Sequence, residues 1–140
     1  AVGDEGGTTI NITTPSTEYM ATQCFRIQGW SGTIADVAVG TTQHTNTGTS
    51  VVCPGFTSGF GATPTLWISG VSTSNTVTLV SGPGGAWSTP DETGSISATS
   101  GQIRTCSKTT AAASEGDATW TFTSGTIYAS ANMIAIRGTL

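Results

Sequence analysis

Single threonines space the aromatic residues of Thr119-Trp120-Thr121-Phe122-Thr123, and this strict period of two is what most limits the folds open to the chain. Alternate residues of an extended strand point to opposite faces, so Trp120 and Phe122 share one face and the threonines the other, as in a half-buried strand. Further on, Ala131-Asn-Met-Ile134-Ala-Ile136-Arg137-Gly138 is apolar from Met133 to Ile136 and reads as a more central strand that stops at the surface. The two stretches predict a hairpin around which the rest of the chain is arranged.

The remaining segments repeat this pattern. Thr8 to Thr13 alternates with Ile10 and Ile12 inward, and Met20 to Gln28 predicts a strand with Phe25 and Ile27 on one side. Ile34 to Val39 offers another, anchored by Ile34 and Val37, and polar Thr41 to Ser50 reads as a surface loop or hairpin tip. Val51-Val52-Cys53 is stopped by Pro54-Gly55. Pro64 to Val71 and Thr76 to Val80 read as strands joined by a tight turn at Ser74-Asn75. Pro90-Asp91-Glu92 is assigned to a loop, and alternation resumes from Gly101 to Lys108. Ala111 to Gly116 alone has helical composition, but six residues ending in glycine are too few for a stable helix.

About eight short strands and no helix select an all-β antiparallel sandwich, jelly-roll-like, because parallel strands would need crossover helices. Residues 1–7 are expected to form a mobile arm and 8–140 a single sandwich domain. The expected core is Ile10, Ile12, Phe25, Ile27, Leu66, Ile68, Val77, Leu79, Trp120, Phe122, Ile134 and Ile136.

Only 9% of the residues are charged, so the surface depends on Ser, Thr, Gly, Asn and Gln for its solubility. Arg26, Arg104, Lys108 and Arg137 are too scattered to build a phosphate-tracking patch, which sets nucleic acid aside as a partner. No run approaches the ~20 apolar residues that span a bilayer, and no basic segment precedes an apolar one. A soluble chain is expected, with no membrane partner and any leader already removed. Cys24, Cys53 and Cys106 lack C-x-x-C spacing, and with His44 as the sole histidine they do not suit a zinc site. One disulfide can be chosen from them in three ways, and three reduced thiols are an equal alternative.

Three pieces, Pro64-Thr65-Leu66-Trp67-Ile68, the Ala111-to-Phe122 run through Ser114-Glu115-Gly116-Asp117, and Ile134-Ala135-Ile136-Arg137-Gly138, resemble a pattern in tailed-bacteriophage structural proteins. The resemblance covers roughly the C-terminal half. It implies a virion β-sandwich module of capsid surface, tail or fibre, and no catalysis.

The residues themselves offer no active site. His44 lies in an exposed polar loop, and a triad with Ser31 and Asp36 would require groups that nothing brings together. Asp4-Glu5, Asp91-Glu92, Glu115 and Asp117 are loop acids of the kind that can hold Ca²⁺, but no dense Asp/Asn-Gly motif surrounds them, so no metal or other cofactor is expected. Trp30, Phe56, Phe60 and Trp87 lie in Gly-rich loops. They are candidates for an intersubunit or glycan contact, or for capping the open ends of the core.

The expectation is a non-enzymatic virion component, a capsid decoration (cement) protein on the phage particle surface. Its partners would be itself, as a trimer, and a major capsid or tail protein. Alternatives are a tail, fibre or carbohydrate-binding adhesion module that takes a surface glycan, and an extracellular filament subunit joined by strand donation through Ala1 to Thr13.

Overall fold

The computed structural model describes residues 23–46, 48–73, 77–94, 101–123 and 128–139. A 3-10 turn, Ile34–Asp36, leads into β1 (Val37–Val39), and then β2 (Gln43–Thr45), β3 (Ser50–Cys53), β4 (Phe56–Thr57) and β5 (Pro64–Thr73) follow. The rest are β6 (Leu79–Ser81), β7 (Asp91–Gly94), β8 (Gln102–Ala111), β9 (Ser114–Glu115), β10 (Ala118–Phe122) and β11 (Ala129–Arg137). The described residues contain no α-helix, and all the strand pairings are antiparallel.

Two sheets face each other. The larger runs β1-β11-β5-β8-β7, with β2 also on β11, and the smaller runs β3-β10-β6. β5 and β8 pair along their whole ten-residue length, from Pro64↔Ala111 to Thr73↔Gln102. β1 and β2 lie along the same side of β11, where Val37↔Ile136 and Gln43↔Ala131 leave one extra residue between them on the edge side. That irregularity falls at Gly40 to Thr42, and a Cβ on Gly40 would lie 2.8 Å from the Phe56 ring. β4 and β9 form a separate ribbon.

The core lies between the sheets. Trp67, Val71, Cys106, Ala131, Met133 and Ala135 come from the larger sheet, while Val51, Cys53, Ala118, Trp120 and Phe122 come from the smaller. Trp67 stands directly opposite Ala135, so the bulk of one strand fills the space left by its neighbour's alanine.

The antiparallel sandwich is the architecture expected. The described residues hold eleven strands because two- to four-residue pairings form inside segments read as loops. The predicted C-terminal hairpin does not form: β10 belongs to the smaller sheet and β11 to the larger. Ser74 and Asn75 lie outside the described residues, and β5 and β6, expected to pair across them, belong to different sheets.

Within the expected core, Trp120, Phe122 and Val77 are buried, and Leu79 packs against the core from its margin. Ile68 and Ile136 are buried, and Leu66 and Ile134 half-buried, but all four lie on the opposite face of the larger sheet. Residues 23–28 join no strand, so Phe25 is 48% exposed and Ile27 half-buried. Ile34 is 81% exposed because the 3-10 turn buries Asp36 instead. Ile10, Ile12 and the 1–7 arm lie outside the described residues.

Candidate packing surface

The outer face of the larger sheet is formed by alternate residues of its long strands: Leu66 and Ile68 on β5, Ile103 and Thr105 on β8, and Ile134 and Ile136 on β11. β5 and β11 are thus apolar on both faces, and their near-continuous runs Leu66-Trp67-Ile68 and Met133 to Ile136 follow from this.

A strap formed by residues 23–30 crosses this face. At one end Thr105 Oγ1 donates a 3.0 Å hydrogen bond to Gln23 Oε1. At the other, Trp30 bridges to Gly138 and the Thr139 N–H donates to the Gly29 carbonyl at 2.8 Å. Between these pins the contact with the sheet is incomplete. A groove of about 370 Å³ opens among Phe25, Ile68, Ile103 and Ile134, with no charged side chain in its lining. Two further grooves, about 220 and 200 Å³, lie beside Trp30 with Ile136 and beside Ile27 with Leu66. An apolar sheet face with a groove of this size is a surface suited to contact, and the described residues cover it only in part.

Six charged groups among the described residues are engaged within the chain. Asp36 receives Ser31 Oγ–H and the Arg137 guanidinium, which also lies 5.6 Å from the centre of the Phe60 ring. Lys108 Nζ is 2.6 Å from Glu115 and 4.9 Å from the centre of the Trp87 ring. Arg104 is buried, with Nη2 donating to the Val77 carbonyl at 2.7 Å and its guanidinium beside Phe122. The Gly55 N–H donates to Asp117 Oδ1 at 2.8 Å.

Ser31 and Asp36 do meet, but His44 lies elsewhere, with Nδ1 2.7 Å from Ser130 Oγ on the neighbouring strand. No Ser-His-Asp relay is assembled. Asp91 is exposed at the start of edge strand β7 rather than in a loop. Asp4 and Glu5 lie outside the described residues, among which no cluster of three or more His, Cys, Asp or Glu side chains is placed to hold a metal ion. Nor is any helix among them long and apolar enough to cross a membrane.

Of the four loop aromatics, Phe56, Phe60 and Trp87 fold back onto the core, with Phe56 edge-on to Trp67 at 5.5 Å. Trp30 instead lines the outer face. Ile103 and Thr105 were not distinguished in the sequence, although their alternation with buried Gln102, Arg104 and Cys106 carries the signal. Cys53 and Cys106 are buried and reduced, and Cys24 is exposed on the strap. Burial, followed by the neighbouring Cys53, pushes the Cys106 thiol up to about 12. Burial likewise raises the Cys53 thiol.

No protein-family model, curated protein or solved structure matches this chain.

Proposed function

We propose that this chain is a non-enzymatic structural protein of a virion, a capsid decoration (cement) protein that associates with copies of itself as a trimer on a phage shell. The observation that carries the reading is the strapped outer face, where an apolar groove without charged lining is left partly open. A second copy is the occupant this chemistry suits. Two copies can meet over the main groove without desolvating a charged side chain, which would cost several kcal/mol, since Arg26 and Asp91 line only the groove beside Ile27 with Leu66 among the three.

The resemblance of the C-terminal half to phage structural proteins supports the virion setting. Two ion pairs held within the chain, Lys108 with Glu115 and Arg137 with Asp36, also suit a role in packing rather than reaction. A glycan platform is served less well: Lys108 occupies a face of the Trp87 ring, and Trp30 is half-buried at the strap's end.

Imaging the purified particle tests the placement. Copies of the chain on the shell surface are expected, whereas copies confined to the tail or fibres, or absent from the particle, would overturn the decoration role.

A further inference from the structure

Three cysteines allow three pairings, and the larger sheet separates them into two compartments. Cys24 lies on the strap, beyond the outer face. Cys53 on β3 and Cys106 on β8 both point into the core. Strand alternation enforces this division, since Cys106 shares its face with Gln102 and Arg104 while Ile103 and Thr105 face the strap. A bridge from Cys24 to either partner would have to pass through a hydrogen-bonded sheet.

The interior pair meets around Ser69. Cys106 is the register partner of Ser69, and directly opposed residues place their Cβ atoms about 5 Å apart. Cys53 lies in the same buried cluster on the facing sheet, near enough to Cys106 to help raise its thiol. β3 also comes within 8 Å of β5, the strand paired with β8, between Cα atoms.

We propose that Cys53 and Cys106 form a disulfide joining the two sheets when the chain folds in the presence of a small-molecule disulfide such as oxidised glutathione. One cysteine thiolate attacks glutathione disulfide, expelling one glutathione and leaving a mixed disulfide on the protein. The second thiolate attacks the protein sulfur of that bond and expels the other glutathione. The cysteine pair gives up two electrons and two protons, which appear in two reduced glutathione molecules. Both thiols are buried once the chain has folded, so the reaction belongs to folding or transient opening. It is independent of the packing role proposed above.

The full chain, held in glutathione redox buffer at its urea unfolding midpoint, is quenched in acid, alkylated and digested with trypsin without reduction. Cleavage after Arg26, Arg104 and Lys108 puts each cysteine in its own peptide. The expected product links Ile27–Arg104 to Thr105–Lys108, with the free thiol count falling from three to one. The same link forms in Cys24→Ser, and the urea midpoint of the bridged chain rises. Three free thiols, or a dominant link that includes the Cys24 peptide, would overturn the proposal.

Discussion

The indole Nε1–H of Trp120 crosses the interior of the sandwich and donates a 3.0 Å hydrogen bond to Ser69 Oγ, tying the smaller sheet to the larger at a fully buried point. Trp67, equally buried on β5, has no hydrogen-bond partner for its Nε1 among the described residues. The two tryptophans therefore bury similar surface with different polar costs. Replacing either by phenylalanine removes the same atoms, but only Trp120→Phe takes a buried hydrogen bond away from Ser69 Oγ. Trp120→Phe is predicted to cost about 1–2 kcal/mol more than Trp67→Phe in urea unfolding. Equal losses would show that the inter-sheet hydrogen bond adds nothing.

Ala135 faces Trp67 across the β5–β11 ladder and has no room to grow. Ala135→Leu is predicted to destabilise the chain by about 1–3 kcal/mol or more through overpacking. Ile134→Leu, one residue away on the partly open outer face, should stay within about 1 kcal/mol of the parent. Urea midpoints of the two variants provide the check, and a reversed order would place the core on the wrong side of β11.

The raised thiols predict a pH dependence. A thiol whose folded pKa exceeds its unfolded value favours folding in its protonated form. That contribution is complete below the unfolded value near 9.0 and is lost as pH climbs through the folded value, about 12 for Cys106. Reduced protein should lose stability from about pH 9 upward, and Cys106→Ala should lack the Cys106 part of that loss. Urea midpoints at neutral and alkaline pH decide it: parallel curves for parent and variant would contradict the assignment.

The fold class was legible in the sequence because period-two alternation survives in almost every segment, and Trp120 and Phe122 announce their own face. The face of β11 was harder to read. Its core side is Ala129, Ala131, Met133 and Ala135, small residues that draw little attention beside Ile134 and Ile136. The bulk that fills this space comes from Trp67, a non-local partner that no local pattern reveals. A strand apolar on both faces gives no parity to choose by, which is why Leu66 and Ile68 were assigned to the interior. Phe25 and Ile27 alternate as strand residues do, yet their segment lies over a sheet face, a distinction set by tertiary placement rather than by spacing. The Ser31, Asp36 and Arg137 cluster likewise joins residues far apart in the chain, so only the fold brings it into view.

The strapped outer face is proposed as the surface where copies of this chain meet. Light scattering coupled to size exclusion measures this directly, comparing the parent with Phe25→Ser, a change at a half-exposed position that should leave the body folded. A trimer or larger assembly is expected for the parent and a shift toward monomer for the variant. A parent that stays monomeric at every concentration and binds no particle would contradict it.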